Sequence, residues 1–201
     1  MGKKLEFFYD CSSPWTYLAF TKIEEVAARN KADLVWKPIL VGGVFNAVNP
    51  SVYEGRERPV KPKARYYAKD LQDWAHLYGL KIGQPTVFPV NSVKAMRGAL
   101  VALEHGKISP YSQKVFATYW GDDRDISKDD VLREIVQAVG LDEKEYFEKI
   151  AKPEYKDQLK ANTDELIARG GFGSPSIFVE GVMFFGNDRL VLIEHALQHS
   201  H

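Results

Sequence analysis

The sequence predicts an α/β protein in which a four-stranded mixed sheet is interrupted by a large all-helical insertion. The chain begins with a strand-helix-strand pattern and ends with a strand-strand-helix pattern, while residues 64–167 are helical in pattern throughout. Hydrophobic residues make up 45% and charged residues 27% of the 201 residues, which is typical of a globular protein. The strands of one sheet must lie side by side, so the helical block is expected to bulge from the sheet.

The N-terminal segment predicts a β-α-β unit. The apolar run LEFFYD at 5–10 predicts a short buried strand, and apolar residues recur at helical spacing over 15–29. A second apolar strand, ADLVWKPILVGG, ends at the pair Gly42-Gly43. With a helix between them, the two strands are expected to be parallel and the crossover right-handed.

The middle of the chain predicts a long loop followed by helices. Residues 44–63 are rich in proline, glycine and charge, which favours a surface loop. Further on, Ser127 is followed three residues later by Asp130, a pattern typical of a helix N-cap. Basic residues cluster near the loop, where they are expected to form a solvated face from which one or two could bind carboxylates. The cluster consists of Arg56, Arg58, Lys61, Lys63 and Arg65.

The C-terminal segment predicts a hairpin and a closing helix. The stretch SPSIFVEGVMFFGND holds two short apolar strands joined by Glu180-Gly181, which is typical of a two-residue hairpin turn. A final helix is predicted over 188–199. These elements predict a discontinuous sheet domain formed by residues 1–45 and 171–201, and an insertion domain of a loop plus helices at 46–170.

Charge and cysteine content exclude several classes of function. Lys+Arg 27 and Asp+Glu 27 balance, so neither a nucleic-acid nor a membrane partner is expected. The single cysteine, Cys11, cannot form an internal disulfide or a Cys-x-x-Cys redox pair. No secretory signal or membrane span is predicted, which indicates a cytoplasmic protein. No metal site is expected, because the histidines lie far apart in the chain. They are His76, His105, His195, His199 and His201.

A short turn, Cys11-Ser12-Ser13-Pro14, connects the first strand to the first helix. The free N–H groups and the positive dipole end of a helix N-terminus favour an anion there. A hydroxyl cannot carry electrons, but it can donate a hydrogen bond to the thiolate of a bound thiol. Ser13-Pro14 is equally typical of a plain N-cap with a first-turn proline, and Cys11 of a small buried apolar residue. Of the two serines, the spacing to Pro14 favours Ser13.

Polar residues near the C-terminus predict a second half of the same site. Pro175 opens an apolar strand, a position where its missing N–H is tolerated. Asn187 and Asp188 precede the last helix, where one is expected to cap the helix and the other to be free for a ligand. Glutathione fits this combination, because it has a thiol, peptide bonds and an amino-acid end.

The chain as a whole resembles the family of kappa-class glutathione transferases and 2-hydroxychromene-2-carboxylate isomerases, within the DsbA-like thioredoxin superfamily. The resemblance covers almost the full length, and the joint order and spacing of several motifs carry it. These motifs are FFYDCSSPWTYLAF, KPILVGGVFNAVNP, KPKARYYAKD, VNSVKAMR, GGFGSPSIFV and FFGNDRL. The resemblance implies that the predicted sheet belongs to a thioredoxin-like fold.

The resemblance also implies roles for individual residues. Ser13 matches the serine that contacts the glutathione sulfur, and Asn49 matches an asparagine near that sulfur and the second substrate. Lys63 matches a lysine that contacts a glutathione carboxylate, and Trp15 stands at a position that is often aromatic and lines the hydrophobic wall. The family often has a lysine where this chain has Asn46, so that positive charge is missing here.

Four C-terminal residues match the rest of the glutathione site. Ser174 corresponds to the residue whose backbone N–H and C=O are free to clamp the ligand, and Pro175 to the cis proline that follows it. Asn187 and Asp188 match the residues that hold the γ-glutamyl end. The resemblance further implies a homodimer.

The first functional hypothesis is therefore a glutathione-dependent 2-hydroxychromene-2-carboxylate isomerase. In that reaction the thiolate adds to an activated double bond of an aromatic-degradation intermediate, the resulting single bond rotates, and the thiol leaves. One alternative is a kappa-like glutathione transferase that conjugates small electrophiles. Another, from a different class, is a non-catalytic module that binds thiols or peptides. A redox oxidoreductase is disfavoured because Cys11 would have to act alone.

Overall fold

The computed structural model of the protein describes residues 2–199, which form one mixed sheet packed against helices. The strands are β1 (Lys4–Tyr9), β2 (Asp33–Pro38), β3 (Ser176–Val179) and β4 (Val182–Phe185). They lie in the order β2-β1-β3-β4, with β1 and β2 parallel and the other two neighbouring pairs antiparallel. The predicted four-stranded mixed sheet is confirmed.

Most of the helices lie between β2 and β3, where the insertion is predicted. The α-helices within residues 2–199 are α1 (Pro14–Arg29), α2 (Val41–Val48), α3 (Ser51–Glu57), α4 (Lys61–Tyr78), α5 (Val93–Glu104), α6 (Ile108–Phe116), α7 (Asp129–Ala138), α8 (Glu143–Ala151), α9 (Pro153–Ala168) and α10 (Leu190–Gln198). A π-helical turn at Ala117–Gly121 extends α6, and a 3₁₀ turn at Asn187–Arg189 precedes α10. No helix in this range is both long and apolar enough to span a membrane.

The predicted loop at 44–63 is wrong, because most of this segment belongs to α2, α3 and the start of α4. The second strand also ends at Pro38 rather than at Gly43. Tertiary contacts stabilise α2 despite its glycines. The helix packs against α9, and the N–H of Val41 at its start donates to the Asp10 carboxylate at 2.9 Å. The first N–H groups of a helix lack partners inside the helix, so a distant acceptor can stabilise its beginning.

Two predicted turns have different outcomes. The N-cap of α7 is Lys128 and has no side-chain hydrogen bond, so the predicted Ser127 cap is wrong. Ser127 instead donates its N–H to Asp125 Oδ1 at 2.9 Å, in a local turn that ends before the helix begins. The predicted hairpin is confirmed: Glu180 and Gly181 join β3 to β4 with φ values of 48° and 88°, which suits a type I′ turn.

A buried aromatic cluster connects the sheet to the inserted helices and supports the start of α1. Phe7 and Tyr9 of β1 stack at 5.5 Å, and Tyr17 of α1 stacks on Phe116 of α6 at 4.9 Å. The Tyr9 hydroxyl lies 2.7 Å from Ser112 Oγ, also in α6. The sheet and the inserted helices therefore share a hydrophobic core. The division into two domains stays a prediction.

Candidate active site

The turn between β1 and α1 places Ser13 at the N-terminus of the helix. Ser13 is the N-cap: its backbone is extended, and its Oγ accepts a hydrogen bond from the Thr16 N–H at 3.3 Å. The Ser13 hydroxyl in turn donates to the Ser174 carbonyl oxygen at 3.1 Å. This half-buried hydroxyl therefore caps α1 and also faces the loop before β3. The geometry agrees with both interpretations of Ser13, as a cap and as part of a site.

The loop before β3 contains a cis Ser174–Pro175 peptide bond, as the resemblance implies. Ser174 is buried, its Oγ accepts from the Asp10 N–H at 3.0 Å, and the same atom lies 2.7 Å from Thr16 Oγ1. The expectation of a free Ser174 backbone is wrong for the carbonyl, because the Ser13 hydroxyl donates to it. The Ser174 N–H has no acceptor among the described residues.

Aromatic side chains surround the same loop. A Cβ on Gly173 would lie 2.9 Å from a ring carbon of Phe185 and 3.8 Å from one of Phe45, so the position needs glycine unless the Phe185 ring shifts. The rings of Phe172 and Phe185 lie 4.4 Å apart. Asn49, at the end of α2, donates from Nδ2 to the Phe172 carbonyl at 3.1 Å. The structure therefore brings Asn49 to the loop that precedes the cis proline.

A buried carboxylate that sequence reasoning missed fixes the turn. Asp10 is 1% exposed; its Oδ1 accepts from the Ser12 N–H at 2.9 Å, and its Oδ2 accepts from the Val41 N–H at 2.9 Å and the Ser92 hydroxyl at 3.0 Å. These bonds join the turn to the starts of α2 and α5. Burial raises the pKa of Asp10, and the hydrogen bonds act against that rise. The signal that could have revealed it is an aspartate placed between an apolar strand and the turn Cys11-Ser12-Ser13-Pro14.

Cys11 is a buried apolar residue, as the plainer interpretation predicts. Burial, and then the nearby charge of Asp10, raise the pKa of the Cys11 thiol well above its ordinary value. Reactive thiols have lowered pKa values and partial exposure instead. The Cys11 carbonyl accepts from Trp120 Nε1 at 2.9 Å, so this residue attaches the turn to the inserted helices. Its environment is that of a structural cysteine.

The segment after β4 holds a buried polar side chain with an unpartnered donor. Asn187 is 4% exposed, and its Nδ2 has no hydrogen-bond partner within residues 2–199. Asp188 is exposed and accepts from Arg189 Nη1 at 2.6 Å. Neither residue caps the last helix as predicted, because the chain turns at Gly186 and forms a 3₁₀ turn first, which leaves Arg189 as the N-cap of α10. The Gly186 N–H donates to the Pro175 carbonyl at 3.2 Å and joins this turn to the cis-proline loop.

The remaining two predicted residues have other surroundings. Trp15 is half-buried at the start of α1 and packs against the hydrophobic core. Lys63 is exposed in the first turn of α4, and its Nζ lies 5.4 Å from the ring centre of Tyr67. In the described part of the chain, no hydrogen bond or ion pair joins Lys63 to the turn around Ser13. The contacts therefore connect the serine turn, the cis-proline loop and the Asn187 turn, but not Lys63.

Metal-binding side chains do not converge in the described part of the chain, where no group of three His, Cys, Asp or Glu residues could hold an ion. The rings of His195 and His199 stack at 4.2 Å near the end of α10. His201, the last histidine of the sequence, lies outside the described residues.

Comparison with known proteins identifies the family to which this fold belongs. A model of the DsbA-like thioredoxin domain matches residues 4–198. The chain belongs to the DsbA-like thioredoxin family. A solved structure of a 2-hydroxychromene-2-carboxylate isomerase superimposes with a TM-score of 0.81 at 25% identity, covering 97% of this chain and 94% of that one. The predicted thioredoxin-like fold is confirmed.

Several relatives that match nearly the whole chain have enzyme names. The 2-hydroxychromene-2-carboxylate isomerase of Sphingobium xenophagum is 28% identical over 98% of this chain and 99% of its own length. Human glutathione S-transferase kappa 1 is also 28% identical, over 98% of this chain and 92% of its own length. The resemblance found in the sequence is confirmed, and the relatives' names support an enzymatic role for this DsbA-like protein.

Proposed function

We propose that this protein is a glutathione-dependent enzyme that isomerises an activated double bond of an aromatic compound, as a 2-hydroxychromene-2-carboxylate isomerase does. One observation carries the proposal. The Ser13 hydroxyl stands at the N-terminus of α1 and lies 3.1 Å from the carbonyl that precedes the cis Pro175. A helix N-terminus with a hydroxyl donor favours a thiolate, and the cis-proline loop offers backbone to a peptide.

The residues present fit glutathione at three places. The Asn187 Nδ2 can donate to a carboxylate of the amino-acid end, which would satisfy a buried donor that has no acceptor within residues 2–199. The Ser174 N–H can donate to a peptide carbonyl. Ser13 can donate to the sulfur. A ligand with these three groups in this order is a thiol-containing peptide.

When bound, glutathione supplies the thiolate that adds reversibly to the alkene. Ser13 would keep that sulfur ionised by donating its hydroxyl hydrogen to the sulfur instead of to the Ser174 carbonyl, while its oxygen would still accept from the Thr16 N–H. A hydrogen bond to a charged acceptor contributes about 1.5–3 kcal/mol. Asp10 takes no part in the reaction itself and keeps the turn in place through its buried hydrogen bonds.

A kappa-like transferase is the second candidate, favoured by the identity to human glutathione S-transferase kappa 1. The same thiolate serves both activities, and the acceptor decides which product forms. Mass spectrometry of the products separates them: an isomerase returns a rearranged substrate and free glutathione, whereas a transferase releases a conjugate. A non-catalytic binding module would give neither product.

The test is ultraviolet difference absorbance of glutathione titrated into the wild type, Ser13→Ala and Ser12→Ala at neutral pH. We expect a thiolate signal in the wild type and in Ser12→Ala, and a weak one in Ser13→Ala. The rate of the glutathione-dependent reaction should also fall about tenfold or more in Ser13→Ala. Glutathione binding without a thiolate signal in the wild type would contradict the mechanism. Absence of binding would contradict glutathione dependence altogether.

A further variant separates capping from thiolate stabilisation. Aspartate is a good N-cap, so Ser13→Asp should keep α1 stable in thermal unfolding. Its negative charge beside the sulfur should nevertheless abolish the thiolate signal. If Ser13→Asp retained that signal, the role of Ser13 would be limited to capping.

A further inference from the structure

One arginine of the inserted helices is surrounded by aromatic rings. The guanidinium carbon of Arg56, in α3, lies 5.1 Å from the ring centre of Phe88, 5.7 Å from that of Phe45 and 5.9 Å from that of Tyr53. Distances of this size are typical of cation–π contacts. They hold the planar group in one place, while the residue as a whole remains exposed.

No carboxylate neutralises this guanidinium in the described part of the chain. None of the ion pairs there includes Arg56, although Glu54 and Glu57 lie on the same helix. A guanidinium presents a planar fork of donors that matches a carboxylate. A guanidinium that packs on aromatic rings and has no ion-pair partner in the described part of the chain is available to bind an anion.

Aromatic contacts connect Arg56 to both halves of the candidate site. The ring of Phe88 lies 6.2 Å from that of Trp120, whose indole N–H donates to the backbone of the turn after β1. On the other side, Phe45 borders Gly173 in the cis-proline loop. The guanidinium therefore contacts two aromatic rings, Phe88 on the side of the turn after β1 and Phe45 on the side of the cis-proline loop.

A hydrogen bond fixes one of the rings that contact Arg56. The Tyr53 hydroxyl donates to Asn46 Oδ1 at 2.7 Å, and the ring of the same tyrosine contacts Arg56. The Asn46 side chain thus joins α2 to α3 and keeps this ring beside the guanidinium.

We propose that Arg56 determines the specificity of the site by binding the carboxylate of the second substrate, whose aromatic part packs against Phe45 and Phe88. This inference rests on the proposed glutathione-dependent activity and assigns recognition of the substrate's carboxylate to Arg56. Neutral analogues of the same shape lose the interaction with the guanidinium and are poorer substrates.

The test compares 3-benzoylacrylate with its methyl ester as acceptors in the glutathione-dependent reaction. In Arg56→Gln, the ratio of kcat/KM for the acid to kcat/KM for the ester should fall about tenfold. Arg56→Lys keeps the charge but not the planar fork of donors, so its ratio should lie between those of the wild type and Arg56→Gln. The matched control is Arg58→Gln, at the end of the same helix and without a ring contact, which should keep the wild-type ratio. An equal ratio in all four proteins would overturn the proposal.

Calorimetric binding of 3-benzoylpropionate, a saturated and unreactive analogue, tests Arg56 separately from catalysis. Arg56→Gln should weaken this binding about tenfold, and Arg58→Gln should leave it unchanged. If the wild type lacked a glutathione thiolate but bound the analogue in an Arg56-dependent way, the proposed function would fail and the assignment of Arg56 would stand. A thiolate signal together with no analogue binding, or binding indifferent to Arg56, would overturn the assignment alone.

Discussion

The two ends of the candidate site differ in how completely their polar groups are paired. At the turn after β1, the Asp10 carboxylate accepts three hydrogen bonds, and the Ser13 hydroxyl both accepts and donates. At the turn before α10, Asn187 is almost fully buried, and its Nδ2 has no partner among the described residues. Within the described part of the chain, the polar groups of the first end are therefore paired with one another, whereas the second end keeps a donor without an acceptor.

This difference indicates where the fold is preorganised and where a ligand completes it. A buried donor without an acceptor costs roughly 1–3 kcal/mol, so Asn187 is expected to lower the stability of the free protein and to gain a partner on binding. The paired turn instead holds the helix N-terminus in position before any ligand arrives, which is what an oriented reaction needs. Changes at the two ends should consequently have opposite effects on stability.

The largest effect is expected from Asp10→Ala, which breaks the paired end. It leaves the donors of Ser12, Val41 and Ser92 without an acceptor in a buried place, so the free energy of unfolding should fall by about 3 kcal/mol or more in urea titrations. Ser92→Ala is the control, because it removes one of the three bonds and should cost about 1 kcal/mol. A loss as small for Asp10→Ala as for the control would mean that the turn does not depend on this carboxylate.

The second effect is expected from Asn187→Leu, which removes the unpartnered donor with a side chain of similar branching. Unfolding free energy should rise by about 1 kcal/mol, while glutathione binding measured by calorimetry should weaken at least about tenfold. Asn162 provides a matched control, since it is also 4% exposed but donates to the Pro38 carbonyl at 2.9 Å. Asn162→Leu should therefore destabilise the protein; the same sign for both variants would contradict the comparison.

A smaller effect is expected on the pH dependence of stability, and it concerns Asp10 at the turn after β1. Burial raises the pKa of Asp10 in the folded protein above the unfolded value of about 3.9, so the folded state binds the proton more tightly. The contribution of Asp10 to stability should then decrease as the pH rises from about 3.9 through the folded pKa, and level off above it.

Asp10→Asn cannot titrate and provides the reference for this measurement. The unfolding free energy of the wild type minus that of Asp10→Asn should fall with rising pH in urea titrations, each pKa unit corresponding to about 1.4 kcal/mol. A difference that grew with pH would show that the hydrogen bonds to the carboxylate outweigh its burial.

The smallest effect on stability is expected from Asp188→Asn. This exposed carboxylate pairs with Arg189, and surface pairs of this kind contribute little, so unfolding free energy should change by less than about 0.5 kcal/mol. Glutathione binding should still weaken, because Asp188 is expected to pair with the ligand ammonium. Glu134→Gln breaks another exposed pair, with Arg124, and should leave both quantities unchanged. Unchanged binding in Asp188→Asn would remove this residue from the site.

Local patterns predicted the parts of the fold whose stabilising contacts are close in sequence. The β1-turn-α1 unit, its Ser13 N-cap and the Glu180-Gly181 hairpin follow from apolar periodicity, capping residues and turn residues that act within a few positions. The error at α2 has a tertiary cause. Its glycines favour a loop locally, but packing on α9 and the Asp10 carboxylate stabilise a helix there.

The sequence likewise predicted some features of the candidate site but not others. Ser13, Pro175 and Asn187 could be selected from the sequence, because a resemblance places residues in order along a chain. The hydrogen bonds of these residues could not be predicted from the sequence, and neither could the ring contacts of Arg56.

The sequence by itself determined the four strands, the helices that flank them, their order, and which residues stand at the strand–helix junctions, since these depend on neighbours along the chain. Only the tertiary structure decided that, within residues 2–199, Asp10 is fully paired, Asn187 keeps an unpartnered donor and no acid neutralises Arg56. The physical reason is that burial and hydrogen bonding depend on segments that are distant in sequence and meet only when the sheet and the inserted helices pack together.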